Sequence, residues 1–422
     1  MRIRFLLSTI LSSPPLFVAA WMWASPTLPA ADTNSLKFCF GSTPPAPGFV
    51  AVPPTALYHP GTGFGFAPGA SVIRQGQCVT SDQPFLFSVK LPEGNYTVIL
   101  TLGDDAGESS TTVKAEARRL MLENVRTDQG QTATRAFTVN IRTPRIGANG
   151  AVRLKQREKD SETVTWDDAL TLEFNGARPC LRTLEIAPAP SAPTLFIAGD
   201  STVCDQPLEP WNSWGQMLPR FFKPGVAVAN YAQSGESIKS SLSARRFEKI
   251  FSLMKRGDWL LVQFGHNDMK DRAPDALAAY RANLRSIVAQ TRAKGGTPVL
   301  ITSMERKAGV NAPTLAGYPE AVRSVAKENN VALIDLHAMS VVLYQALRTN
   351  LGQAFQDGTH HNNYGSYELA KCVAAGIAAA KLDLARFLVE EVRTFDPSHP
   401  DSVEKFSVPP SPTRSARKPE GN

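Results

Sequence analysis

The chain is short of the features that would classify it at once. Its 422 residues include only five cysteines: Cys39, Cys78, Cys180, Cys204 and Cys372. So few exclude a disulfide-dense scaffold, the odd number leaves at least one thiol free in an exported chain, and no Cys-x-x-Cys pair marks a metal site. Cys39 and Cys180 lie on apolar strand-like runs at opposite ends of the first half and read as sheet neighbours, bridged or simply buried. Blocks of like charge are also missing. Lys and Arg exceed Asp and Glu by 45 to 38, a formal charge of +7, but the basic residues are scattered. That scatter excludes a nucleic-acid partner as the leading reading. Beyond the first 31 residues no apolar run reaches the length of a membrane span, so no membrane association is expected of the mature form.

Those first residues, "MRIRFLLSTILSSPPLFVAAWMWASPTLPAAD", have a different character. Arg2 and Arg4 precede an apolar stretch that ends on small residues near Ala30 and Ala31, the layout of a secretory signal over 1–31. Pro14 and Pro15 interrupt the stretch and argue against an uncleaved anchor, and no cysteine is placed for lipidation. The mature chain is expected in the periplasm or outside the cell. Loss of the two arginines leaves a charge of about +5, a mild balance that suits a polyanionic partner.

A chain of this length is expected to form two domains. Residues 35–187 read as an antiparallel β-sandwich: "FLFSVKL", "GNYTVILTLG", "TRAFTVNIRT" and "DDALTLEFNG" are short, rich in Val, Thr and Phe, and bounded by turn residues. "APAPSAPT" then supplies a stiff linker over 188–194. In 195–395 the pattern changes. Apolar runs such as "TLFIAGD", "WLLVQFGHND" and "TPVLITSM" alternate with amphipathic helical segments, which specifies a three-layer α/β domain with about five parallel strands. Residues 398–422, polar and rich in Pro and Ser, read as a disordered tail.

Four polar turns follow strands of the second half: "GDST" with Ser201, "AQSGES" with Gly235, "FGHND" with Asn267 and Asp268, and "DGTHHN" with Asp357, His360 and His361. Alone, each is an ordinary turn or helix cap. Together, at the carboxyl edge of one parallel sheet, they converge. They then supply a hydroxyl, an imidazole, a carboxylate and amide donors, the inventory of acyl transfer.

These blocks, in this order, resemble those of the SGNH (GDSL-like) hydrolases. The longer stretches "GDSTVCDQPLEPWNSWGQMLPRFF" and "DGTHHNNYGSYELAKCV" are similar to the rhamnogalacturonan acetylesterase branch. The first half resembles the galactose-binding-like sandwich found ahead of such domains. The resemblance implies a flavodoxin-like catalytic fold, Ser201 as nucleophile, His360 as base and Asp357 as its orienter. It also implies an oxyanion hole from the Ser201 and Gly235 backbone N–H groups and the Asn267 amide. The family spacing Asp-x-x-His selects His360; at a helix start its neighbour His361 points about 100° away and is assigned a surface or substrate-facing role. No cofactor or metal is implied. The expected substrate is an acetylated acidic polysaccharide such as pectin or rhamnogalacturonan, with xylan or short acyl esters as an alternative within the family. A non-catalytic carbohydrate-binding protein is the alternative from another class, and the chain is expected to be a monomer. Trp211 and Trp214 are open to sugar-stacking or core roles, and Arg306 and Lys307 to pairing with uronate carboxylates. Asp200 and Asp268 read as loop braces, His266 as locally bonded, and Cys204 as a buried bystander.

Overall fold

In a computed structural model of the protein, residues 35–41, 44–148 and 150–420 are described, so the segment read as a signal lies outside the described residues. The first half is built from β1 (Leu36–Cys39), β2 (Phe85–Lys90), β3 (Gly94–Leu102), β4 (Ser109–Ala115), β5 (Arg119–Thr127), β6 (Ala133–Ile141), β7 (Ala169–Asn175) and β8 (Cys180–Pro188). Alternation decides which face each presents. In β3, Tyr96, Val98, Leu100 and Leu102 are buried while the residues between them stay half-exposed. One antiparallel sheet runs Phe64–Phe66, β2, β7, β4, β5; the other runs β6, β3, β8, β1. Both close on one apolar core that includes Phe38, Phe85, Phe87, Leu100, Phe137, Phe174 and Leu184.

Five parallel strands follow: β9 (Thr194–Gly199), β10 (Ala227–Asn230), β11 (Trp259–Gln263), β12 (Thr297–Ile301) and β13 (Ala332–Ile334), in spatial order β13-β12-β11-β9-β10. Each face is covered, which is why these strands read as continuous apolar runs. Helices α1 (Arg246–Leu253), α2 (Ala276–Ala293) and α3 (Tyr318–Glu328) pack on one face. Helices α4 (Leu336–Leu347) and α5 (Asn363–Ala379) pack on the other. The chain steps from β9 to β10 on one side and then to β11 on the other. The crevice beyond the carboxyl ends of these three strands is therefore a topological switch point.

The two halves are not beads on a flexible string. β6 pairs in parallel with β10 at Val139 and Val228, so one sheet runs through both halves. The connector at 188–194 is held down as well. Asn95 accepts from the Ala189 amide through its carbonyl (2.7 Å), and its side chain donates to the Ala192 carbonyl and the Thr194 hydroxyl. Across the seam, Arg119 and Arg142 face Asp205 at 3.2 and 3.8 Å, all three side chains at most 2% exposed. Arg118 pairs with Glu209 and also donates to the carbonyls of Gln206 and Trp211.

The carboxyl-terminal stretch corrects the expectation of a disordered tail. Lys114 donates to the Pro409 carbonyl (2.7 Å) and the Ser411 hydroxyl (2.8 Å), and Asn175 donates to the Pro410 carbonyl (2.9 Å). A bridge then pairs Arg414 beside Glu209. Proline-rich sequence has no helical or strand period, yet its rigid carbonyls satisfy donors that the β half leaves buried. The cysteines are all free thiols; Cys39 lies opposite Thr183, and Cys180 neighbours Cys78 instead.

Removing one partner of a buried ion pair costs ~3 kcal/mol or more, whereas an exposed pair is worth ~1 kcal/mol at most. Arg119→Met should therefore lower the stability of both halves together, in one urea transition. Lys90→Ala, at the exposed Lys90–Asp168 pair, should barely move it. Two separate transitions in Arg119→Met would refute the stitched architecture.

Candidate active site

β9 ends at Gly199, and the turn that follows carries Ser201 into the crevice. Asp200 fixes that turn: its carboxylate accepts from the Thr202 amide (2.9 Å) and hydroxyl (2.7 Å) and faces His266 Nδ1 at 3.4 Å. Burial alone would raise the Asp200 pKa, but the His266 ring and the Thr202 donors outweigh it and hold the carboxyl below its ordinary value. His266 is tied at its other nitrogen to the Met304 carbonyl (3.1 Å).

Far along the chain, residues 357–360 form the loop before α5. The Asp357 carboxylate accepts from the Thr359 and His360 amides, both at 2.7 Å, which curls the loop back on itself. Its other oxygen meets His360 Nδ1 at 3.0 Å. His360 Nε2 then lies 2.8 Å from Ser201 Oγ. Burial works against the Asp357 charge, but these hydrogen bonds with the His360 ring prevail and hold the carboxyl well below the usual range. Carboxylate, imidazole and hydroxyl thus stand in line. That is the arrangement general-base activation of an alcohol requires.

The loops after β10 and β11 carry further amide donors. Gly235 has φ +76°, in the left-handed region that favours glycine, and its N–H, like that of Ser201, meets no acceptor among the described residues. Asn267 Nδ2 donates to the Glu236 carbonyl (3.1 Å), which couples the Asn267 loop to the Gly235 loop. Asp268 braces the same pair by accepting from the Ile238 amide (2.9 Å).

Three expectations drawn from the sequence need correction here, and each has a packing reason. His361 is not at the surface: the divergence at the start of α5 turns it into the core, 2.9 Å from the Tyr344 hydroxyl, and burial pushes its pKa down to about 3. Trp214 is fully enclosed and donates to Gln263 (2.7 Å), so it is a core residue. Arg306 is half-buried, and its guanidinium is already engaged by the loops after β12 and β11, donating to the Thr314 and His266 carbonyls. Cys204 is a buried bystander whose thiol burial raises to about 12. Trp211 is buried, and its ring stands edge-on to His360, 5.8 Å away. Two contributors have no motif in the sequence. Gln206 donates to the Ser201 carbonyl (2.7 Å), and the tail supplies the Ser415 carbonyl that accepts from Trp211 (3.1 Å). Together with Glu209 and Gln356, Trp211 and the tail line a groove of about 520 Å³. Only long-range packing brings these residues in.

Asp268 also sets a pH test. Burial raises its pKa to about 7 from the ordinary 3.8, so the fold prefers the protonated form. The stability it contributes is complete below the unfolded value and declines as pH rises through the folded one. Between about pH 4 and 7 the stability of Asp268→Asn should therefore improve relative to wild type, measured by denaturant unfolding. A difference independent of pH would refute this.

The chain is similar to known proteins over the same region. Residues 197–366 match the GDSL-like Lipase/Acylhydrolase family. A rhamnogalacturonan acetylesterase of Bacillus subtilis is 36% identical over 217 residues, covering 46% of this chain and 94% of that protein. The uncharacterized esterase YxiM of the same organism is 28% identical over 370 residues, covering 81% and 90%. A crystal structure of a Bacillus subtilis protein superposes with a TM-score of 0.46 at 24% identity, covering 83% of this chain and 99% of that one. The chain belongs to the GDSL-like lipase/acylhydrolase (SGNH) family and is a carboxylic ester hydrolase.

Proposed function

We propose that this esterase removes O-acetyl groups from an acidic polysaccharide of the pectin or rhamnogalacturonan type, outside the cytoplasm. The contact between Ser201 Oγ and His360 Nε2, with Asp357 behind the ring, carries the reading. Ser201 attacks the acetyl carbonyl while His360 takes its proton. The oxyanion is held by the Ser201 and Gly235 N–H groups and the Asn267 amide. The C–O bond to the sugar breaks as His360 returns the proton to the departing sugar oxygen, which leaves as a hydroxyl, and an acetyl-enzyme remains. Water, activated by the same imidazole, then releases acetate. Asp357 stays ionised throughout and stabilises the imidazolium.

The substrate class is supported by the relative named as a rhamnogalacturonan acetylesterase and by the net positive charge. Export is supported by the layout of residues 1–31. The β half, two antiparallel sheets around one core, fits the galactose-binding-like class.

Ser201→Ala and His360→Ala should each lower p-nitrophenyl acetate turnover by ~10⁴-fold or more. Asn267→Ala should cost about a hundredfold in kcat, the value of one oxyanion donor. Acetate release across acetylated pectic polymer, acetylated xylan and triglyceride checks the substrate class. Preference for xylan or lipid overturns it, and full activity in Ser201→Ala overturns the mechanism.

A further inference from the structure

Lys155 belongs to the β half, yet its side chain reaches the loop that bears Gly235. Its Nζ donates to the Ser234 carbonyl at 2.7 Å and lies 3.3 Å from Glu420 Oε2 of the tail. Glu236 is a third neighbour at 3.5 Å, but that carboxylate is 3% exposed and shared with Arg246. A Cβ built on Gly235 would meet both Lys155 Nζ and Glu420 Cβ at 3.1 Å. The ammonium and the stem of Glu420 therefore lie against Gly235, the glycine assigned above to the oxyanion hole.

The Lys155–Glu420 pair differs from the seam pairs in its exposure. Its side chains are 28% and 42% exposed, so water and solutes reach it and its attraction is weak. Upstream the tail is firmly held: the Glu209 amide donates to the Thr413 carbonyl (2.9 Å) and the Ser415 amide to the Glu209 carbonyl (2.8 Å). Glu420 is thus tethered a few residues from a fixed point, which keeps its local concentration at Lys155 high. The result is a carboxylate that sits on a lysine beside the Gly235 loop, firmly enough to occupy it and loosely enough to leave.

We propose that Lys155 is the recognition site for a uronate carboxylate beside the acetylated sugar, and that Glu420 occupies it as an internal stand-in until polymer displaces it. This rests on the acidic-polysaccharide reading above. It makes Lys155 a specificity-determining residue contributed by the β half, and the tail a competitor selective against weak anions. A free monocarboxylate competes poorly with a tethered one. A polyuronate, with neighbouring carboxylates on one chain, competes well.

The test is inhibition of p-nitrophenyl acetate hydrolysis by unacetylated oligogalacturonate, in the full chain, with neutral xylo-oligosaccharide as control. Wild type should be inhibited competitively. Lys155→Met should raise the inhibition constant about tenfold, the scale of one charge-assisted hydrogen bond, and Lys155→Arg should restore most of it. Glu420→Gln should lower the constant severalfold, with inhibition by the neutral sugar unmoved. Absence of inhibition in wild type, or equal constants in wild type and Lys155→Met, overturns the subsite. An unmoved constant in Glu420→Gln overturns the stand-in. If the Lys155-dependent inhibition is found while acetylated pectic polymer releases no acetate, the carboxylate site stands and the substrate assignment alone falls.

Discussion

The buried cations of β5 and the turn before it are the constraint on which the active site depends. Arg118 and Arg119 reach across the seam to Glu209, Asp205 and the carbonyls of Gln206 and Trp211, all within the loop that starts at Ser201. Gln216 closes the same grip from the other side by donating to the Ala117 carbonyl (2.6 Å). Buried ion pairs add little net stability, because desolvation offsets the attraction, but they penalise every arrangement that leaves one charge alone. Here the penalised arrangements are those in which the loop drifts. The β half thus acts as a template for the segment that presents the hydroxyl and Trp211.

A site fixed this way has little reorganisation left to do. Asp357 is satisfied by two backbone amides and an imidazole before any substrate arrives, and Gly235 is held in its left-handed conformation by loops that Asn267 and Asp268 bridge. Dipoles set in advance stabilise developing charge without the cost of turning toward it. The surroundings are dense in buried polar groups, and most of them serve position. Asp200, His266, Gln206 and Ser234 bond to one another or to the turn, leaving Ser201 and His360 aligned.

Much of this is legible in the sequence, for identifiable reasons. Strands covered on both faces write themselves as apolar runs, and polar turns after such strands must converge at one edge, so the Ser201, Gly235, Asn267 and His360 segments stand out together. The corrected residues share a cause. Trp214, His361 and Arg306 have the right chemistry and sit in the right segments, but the direction of a side chain is set by tertiary neighbours: Gln263, Tyr344 and the Thr314 carbonyl. The tail looks disordered in sequence because composition reports what a segment does alone. Its order depends on Lys114, Asn175 and Glu209, which lie hundreds of residues away. The seam has no signature at all, since scattered arginines look alike whether solvated or buried.

The pairing of Val139 with Val228 has an implication for how such chains can be rearranged. A strand that ends a sheet exposes a row of unpaired amides and carbonyls, which invites edge-to-edge aggregation. β6 meets that row on β10 at the Val139–Val228 pair, and Arg119 donates to the Val228 carbonyl. Grafting the hydrolytic half onto a foreign module would bare the β10 edge at that point unless the new neighbour also brought a strand to meet it.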